Sequence, residues 1–468
     1  MNTDLRQVFR AYDIRGLSPG ELDQEFARRL GHVLEAEFRP QRVLVGLDMR
    51  QTSPELEAGL LNGLTSRGVE VTRIGLCSTP MFNATLGLAQ GKYDLGVMIT
   101  ASHNPAPYNG FKLVRGDVRP IGQGTGMERL RDRFLSSETW KPEPRRGSVV
   151  QDPKALSAYL DKIFSLVEVA SLPKMKIAVD TGNGMNGIVL TELAKRLPQV
   201  TILPLYFEPD GNFPHHEANP LKTETLRDLQ TLVKREGCVC GAAFDGDGDR
   251  VGFMDEQAEP IPGDLTTALL AQSLLAQAPG STILYDLRSS WSVSEAIQAA
   301  HGVPVMCRVG HAFIKQQMRA AQGLFAGELS MHFYFRDLWN AESGDLGLLL
   351  LLKLMATSGR PLSELWRPLK KYAKTSELNS KVSDKTATLQ RIEERFVPFA
   401  SSVSKLDGLR LEFNVAADGS KGPEAWWFSV RPSNTEPLMR LVVEAVSPEV
   451  LAARRDELLA LIRDVRHL

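Results

Sequence analysis

Four cysteines, Cys77, Cys238, Cys240 and Cys307, in a chain of 468 residues are too few and too scattered for a disulfide framework. Cys238 and Cys240 form a C-x-C pair, yet no second pair of His or Cys stands at a suitable distance to complete a zinc site. They read as small apolar residues of a buried strand, and a reducing cytoplasm is the expected compartment. Long apolar runs are also missing. The longest, Leu346–Leu352, stops at Lys353, far short of the roughly 20 residues that cross a bilayer. Residues 1–16 carry charges throughout and no apolar stretch, so no signal peptide is expected. Nor is there an excess of one charge, with 55 Lys+Arg against 56 Asp+Glu. That balance argues against a nucleic acid or a membrane surface as the main partner.

What is present is an ordinary globular composition, 43% hydrophobic and 24% charged. At about 100–200 residues per domain, the length suggests three or four domains. Apolar runs of strand length alternate with amphipathic helical stretches, which is the pattern of α/β layers. Leu22–Phe38 and Thr225–Lys234 read as helices, Val43–Leu47 and Lys176–Val179 as buried strands. Three times an apolar run ends at an aspartate: VLVGLD at Asp48, KIAVD at Asp180 and TILYD at Asp286. Each is followed by a second strand (69–75, 200–207, 303–310) and then by a third that runs into an unusual loop. The repeat predicts three similar α/β domains at 1–149, 150–257 and 258–370. Polar stretches near 136–155 and 255–263 read as linkers. Beyond Ala373 the pattern changes to a helix over Thr388–Phe399, strands LRLEFNV and WWFSV, and a helix from Pro448, predicting a C-terminal α+β domain at 371–468.

Four loops carry candidate chemistry. Asp245-Gly-Asp247-Gly-Asp249-Arg250 offers three carboxylates on a tight turn, hard oxygen ligands for one divalent cation. An EF-hand is excluded because its sixth position, which needs glycine, is Arg250, and the flanks read as strands. Three carboxylates leave coordination positions open for a substrate oxygen, which suits Mg²⁺ beside a phosphoryl group. Thr100-Ala101-Ser102-His103-Asn104-Pro105 places a serine at the end of a strand, the edge where open α/β sheets bind ligands. If the repeat is real, Ser102 occupies the position in its unit that the acidic loop takes in the next, which makes it a candidate phosphoryl carrier. Gly327-Glu328-Leu329-Ser330-Met331-His332 suits hydrogen bonding to sugar hydroxyls, with a plain surface turn as the alternative. Arg431-Pro-Ser433-Asn434-Thr435-Glu436-Pro437 describes an anion cradle, with a capping turn as the alternative.

These loops, in this order and with FRAYDIRG at 9–16, resemble the α-D-phosphohexomutases, and the resemblance covers essentially the whole chain. PDGNFP (209–214), GHAFIK (310–315) and HFYFRD (332–337) are most similar to the bacterial phosphomannomutase branch, with enzymes acting on both mannose and glucose phosphates close behind. The resemblance implies a cytoplasmic isomerase with four domains around a central cleft, acting on a small phosphosugar as a monomer or weak dimer. It implies that Ser102 is a phosphoserine, that Ser102, Asp245, Asp247 and Asp249 hold one Mg²⁺ per chain, and that Arg250 assists. A hexose 1,6-bisphosphate would serve as intermediate and activator. Glu328, Ser330 and His332 would bind the sugar; Arg431, Ser433, Asn434 and Thr435 the idle phosphate; Tyr12, Arg15 and Arg288 would line the cleft. Lys112 and His311 match the positions of general acid/base groups, and Lys112 reads equally as a phosphate-binding cation. Two positions depart from the family: Met331 stands where a small residue is common, and Glu342-Ser343-Gly344 where many relatives have Asp-Asp-Gly.

Overall fold

A computed structural model describes residues 5–141, 143–433 and 437–463. The first sheet comprises β1 (Ile14–Leu17), β2 (Arg42–Leu47), β3 (Glu70–Leu76), β4 (Leu95–Ile99), β5 (Tyr108–Arg115) and β6 (Val149–Gln151), in the order β1-β5-β4-β2-β3-β6. β2 runs parallel to β3 and β4, while β5 turns back against β4. β4 is buried along its whole length, as is β2 after Arg42, because helices cover both faces; hence the unbroken apolar runs.

The second sheet contains β7 (Met175–Asp180), β8 (Val200–Leu205), β9 (Cys240–Phe244), β10 (Val251–Asp255) and β11 (Pro260–Ile261), in the order β11-β10-β9-β7-β8. The third contains β12 (Thr282–Asp286), β13 (Val303–Cys307), β14 (Phe325–Gly327), β15 (Phe333–Phe335) and β16 (Ala341–Glu342), in the order β13-β12-β14-β15-β16. The strand after the third in each unit is antiparallel, so the same four-strand order recurs in all three mixed sheets. The Cys238/Cys240 pair is buried at the start of β9, as small apolar residues would be.

The C-terminal sheet, β17 (Ala373–Lys374), β18 (Leu378–Lys381), β19 (Ser402–Ser404), β20 (Leu409–Val415), β21 (Lys421–Pro432) and β22 (Leu438–Ala445), is antiparallel. Its core is its own, built around Phe396, Phe413, Trp426 and Phe428, with Phe413 and Trp426 stacked at 4.2 Å. One continuous apolar cluster, by contrast, runs through the first three sheets from Leu44 to Trp366. The first three units therefore form one packed body, and the fourth docks onto the third through Trp291, whose backbone N–H donates to Glu444 (2.9 Å), and through Arg410, which donates to Leu287 O (2.8 Å).

The structure shifts several elements read from sequence. The first long helix is Gln24–Phe38, because the Asp23 carboxylate accepts from Phe26 N–H (2.7 Å) and fixes the start. Thr223–Leu226 is a 3₁₀ turn before the helix Arg227–Glu236, and the helix expected at Thr388–Phe399 is Lys385–Phe396, capped by Asp384. Residues 255–263 are not a linker. Buried Asp255 accepts from the N–H groups of Gln257 and Glu259 (both 2.9 Å), folding a hairpin between β10 and β11. The exposed stretch from 136 does end in a strand, β6, on the edge of the first sheet.

The second and third units are tied by a buried carboxylate. Asp345, at the start of the helix Gly344–Ser358, accepts from Tyr159 O–H (2.7 Å) and Asn186 Nδ2 (2.8 Å). Burial outweighs these bonds and lifts its pKa from 3.8 to about 6. The folded state thus holds this proton more tightly than the unfolded chain, a stabilising contribution present below pH 3.8 and lost as pH rises through 6. The shift corresponds to about 3 kcal/mol. Asp345→Asn, which can still accept from Tyr159, is expected to remove this contribution. Its denaturation midpoint relative to wild type should rise by about that energy from pH 4 to pH 7; parallel profiles would contradict the assignment.

Candidate active site

Each α/β unit delivers a loop from the C-terminal end of its third strand, and these loops meet. After β4 the chain reaches Ser102, a residue at φ +52 whose N–H donates to Thr100 Oγ1 (2.9 Å). The loop is clamped from below by Arg50, whose side chain is fully buried. Its guanidinium bonds Asp48 (3.1 Å) and donates to the carbonyls of Ser102 (2.8 Å), Asn104 (2.7 Å), Pro105 (2.9 Å) and Tyr108 (2.8 Å). Arg15 donates to Asn104 Oδ1 (3.0 Å) and pairs with Asp13.

After β9 comes the acidic loop, and it touches the serine directly: Ser102 Oγ donates to Asp245 Oδ2 at 3.0 Å. The approach leaves no room for a side chain at Gly246, where a Cβ would lie 2.5 Å from Ser102 O. Asp245, Asp247 and Asp249 each bring a carboxylate oxygen within 4.8 Å of the others, all three buried. Lys112, on β5, bridges Asp247 (2.7 Å) and Asp249 (2.6 Å). Thr79 Oγ1 donates to Asp247 (2.5 Å). Asp247 Oδ1 is a buried acceptor with no hydrogen-bond partner, and Asp249 Oδ1 has only the 3.3 Å approach of His332 Nε2. An orphaned oxygen is costly in protein, and carboxylate oxygens are the donor set a hard divalent cation takes, so the residues fit the ion that the sequence implies.

Electrostatics separates these groups. Burial and the charges of its two neighbours push Asp245 well above the carboxylate range. Burial acts the same way on Asp249, but Lys112, His332 and Arg250 outweigh it and hold that group well below its ordinary value. Lys112 loses charge stability to burial and regains more from Asp247 and Asp249, so its pKa is raised.

After β14 the loop Glu328–His332 crosses to the acidic loop. His332 Nε2 lies 3.3 Å from Asp249 and 3.1 Å from Arg250 Nε; its Nδ1 lies 3.1 Å from Glu328 and 3.0 Å from Ser330 Oγ. Burial and Arg250 oppose a charged ring, yet Asp249 and Glu328 outweigh them, raising its pKa to about 9. Glu328 is held far below its ordinary value despite burial, by His332 and Arg288, and also accepts from Tyr334 O–H (2.7 Å) and Gly310 N–H (3.1 Å). His311 starts the helix His311–Ala320 beside the Tyr12 ring, 5.3 Å between centroids. Burial, Lys315 and Lys112 lower its pKa to about 3, so it is neutral, and its Nδ1 has no hydrogen-bond partner. Glu342 pairs with Lys315 (2.5 Å) and lies 4.0 Å from His311.

The fourth loop follows β21. Arg431 bonds Glu377 (3.1 Å), which also bonds Arg288 (3.2 Å) and Arg440 (3.2 Å), joining the C-terminal loop to the third unit. Ser433 is buried and its N–H donates to Leu438 O (2.8 Å). Asn434 and Thr435 lie outside the described residues. The structure thus brings Ser102, Lys112, Asp245, Asp247, Asp249, Arg250, Glu328, Ser330 and His332 into one connected network, with Arg15 reaching Asn104 of the serine loop and Tyr12 beside His311. Sequence reading missed Arg50, Glu377, Lys315 and His103, whose Nδ1 sits 3.2 Å from Ser102 Oγ. A signal for Arg50 was present. Asp48-Met49-Arg50 and Asp286-Leu287-Arg288 are the same D-x-R at equivalent strand ends, and in both the aspartate accepts from the arginine's own N–H.

Comparison with known proteins agrees with this construction. Four successive family models match: phosphoglucomutase/phosphomannomutase alpha/beta/alpha domain I at residues 6–139, domain II at 157–259, domain III at 262–372, and the C-terminal domain at 377–461. A protein of Xanthomonas campestris pv. campestris (strain B100) named "Phosphohexose mutases" is 38% identical over 453 residues, covering 96% of this chain and 97% of that one. The Escherichia coli (strain K12) phosphomannomutase is 36% identical over 465 residues, 97% of this chain and 99% of its own. A crystal structure of a phosphoglucomutase/phosphomannomutase family protein from Burkholderia thailandensis superposes with TM-score 0.87 at 31% identity, covering 99% of both chains. A strand order repeated three times, four matched domains and full-length relatives lead to one conclusion: the chain belongs to the phosphoglucomutase/phosphomannomutase family and is a phosphohexomutase, an isomerase.

Proposed function

We propose that the protein is a phosphomannomutase that interconverts mannose 6-phosphate and mannose 1-phosphate through a phosphoserine at Ser102 and a hexose 1,6-bisphosphate. The observation that carries the reading is the contact of Ser102 Oγ with Asp245, beside the unpartnered Asp247 Oδ1 and flanked by Lys112, Arg250 and His332. A phosphate on Ser102 brings about two negative charges, and those three cations are placed to meet them. Relatives named phosphomannomutase support the mannose substrate, and one structure in the same fold, an Aspergillus fumigatus N-acetylphosphoglucosamine mutase, was obtained with GlcNAc-6P and magnesium. Asp245, Asp247 and Asp249 would hold one Mg²⁺ per chain, which supplies charge neutralisation at the transferred phosphoryl group.

In the forward direction the O1 hydroxyl of mannose 6-phosphate attacks the phosphorus on Ser102. The P–O1 bond forms as the P–Oγ bond breaks, the proton lost by O1 ends on Ser102 Oγ, and the 1,6-bisphosphate results. The bisphosphate turns end for end, Ser102 Oγ gives up its proton and takes the phosphoryl group from O6, and the proton ends on O6. Arg431 and Ser433, with Asn434 and Thr435, would grip whichever phosphate is idle, and Glu328 and Ser330 would hold sugar hydroxyls in either orientation. Tyr12, Arg15 and Arg288 would line the same cleft. Of the two candidate bases, Lys112 keeps its proton while Asp247 and Asp249 share it, and His311, held neutral by burial, Lys315 and Lys112, is a weak proton acceptor. Lys112 then acts as a fixed cation. His332, between Asp249 of the acidic loop and Glu328, sits at the junction of the metal loop and the sugar reader.

Ser102→Ala is expected to lower turnover by orders of magnitude and to abolish the one-phosphate gain in intact mass after incubation with hexose 1,6-bisphosphate. Near-normal turnover would overturn the carrier role. In a coupled assay with Mg²⁺, mannose 1-phosphate should be used with a higher kcat/KM than glucose 1-phosphate; equal values would make the enzyme dual-specific. Mg²⁺ at about 100 times its Kd should stabilise the fold by about 2.7 kcal/mol, seen as a raised Tm in wild type and not in Asp247→Asn. An equal shift in both would remove the triad as the metal site.

A further inference from the structure

Within the sugar-reading loop one residue has a backbone its side chain does not favour. Met331 sits at φ +67, the left-handed region in which any residue but glycine is strained. Strain of this kind persists where surrounding contacts over-determine the conformation, and it clusters at functional positions. The contacts here can be named. Met331 N–H donates to Glu328 O (3.0 Å), and Met331 O accepts from Val251 N–H (3.2 Å), a bond from the third unit to β10 of the second. The neighbouring pair Arg250 and His332 forms an isolated antiparallel bridge across the same boundary.

The side chain completes the joint. On β10, Gly252 has no Cβ, and the space is taken by Met331: a Cβ built there would lie 2.8 Å from its sulfur and 3.4 Å from its methyl carbon, with Pro220 Cβ at 3.2 Å. The thioether therefore lies on the bare backbone of the strand that leads out of the metal loop, beside Pro220. Unbranched and polarisable, methionine suits such an irregular gap. The residues on either side of it, Ser330 and His332, are hydrogen-bonded to each other at 3.0 Å, and His332 also lies 3.3 Å from Asp249.

We propose that Met331 is a positioning residue: seated on Gly252 and Pro220, its thioether holds the left-handed turn that registers the sugar-reading loop against the metal-binding loop. The inference rests on the mutase reading for the identity of the sugar, and concerns which side chain sets the geometry of that site.

A cycle of Met331→Gly, Gly252→Ala and the double variant tests it, with mannose 6-phosphate affinity read by calorimetry, kcat and KM from the coupled assay, and Tm. Glycine relieves the strain at residue 331, so Met331→Gly should keep its Tm, yet weaken mannose 6-phosphate binding and raise KM about 10-fold, with a smaller change in kcat. Gly252→Ala displaces the thioether and should produce a similar loss. The double variant should be no worse than either single one, because the added methyl fills space already vacated. Met331→Leu should recover most of the affinity. Binding and KM within twofold of wild type in Met331→Gly, or losses that multiply in the double variant, would overturn the proposal. Intact mass after hexose 1,6-bisphosphate separates the two questions. Wild type that gains no phosphate refutes the mutase reading, while the binding comparison still decides the role of Met331.

Discussion

Three carboxylates buried within 4.8 Å of one another are the constraint around which the molecule is arranged. In a low-dielectric interior such charges must be compensated, and the compensation is drawn from all three α/β units. Lys112 comes from the first sheet, Arg250 from the acidic loop itself and His332 from the third unit. The serine loop completes the enclosure by donating to Asp245. Asp247 Oδ1 is left without a hydrogen-bond partner, an acceptor that a divalent cation would take.

The C-terminal unit has an aromatic core of its own and meets the third unit through an apolar cluster of Trp291 with Ala425, Trp427 and Val442, while nearer the cleft Glu377 is shared among Arg288, Arg431 and Arg440. This carboxylate pairs with arginines on both sides of the seam and so ties Arg431 to the third unit by charge-assisted bonds.

Much of this was legible in the chain. Aspartates at the ends of three apolar runs announced the repeat, because a buried parallel strand ends where polar loops begin, and the order of the four loops carried the family. Less legible were features set by distant partners. The D-x-R spacing marks Arg50, but its burial depends on carbonyls more than fifty residues away. Lys112 was left open between base and cation because its partners, Asp247 and Asp249, lie 135 and 137 residues further on. Residues 255–263 looked like a linker because turn residues and linker residues share a composition, and only the bonds of Asp255 distinguish them. The seat of Met331 is set by Gly252, 79 residues earlier in the chain, and no local pattern marks it.

The proposed reaction requires a fixed serine that passes one phosphoryl group to the sugar and takes another back. Its most direct test is a single-turnover chase: protein carrying ³²P on Ser102 is mixed with excess unlabelled mannose 6-phosphate in Mg²⁺, quenched at short times and separated. The label should leave the protein and appear first in the hexose 1,6-bisphosphate, then in hexose monophosphate, with almost none as inorganic phosphate. Label released mainly as inorganic phosphate, or retained on the protein while the sugar isomerises, would contradict it.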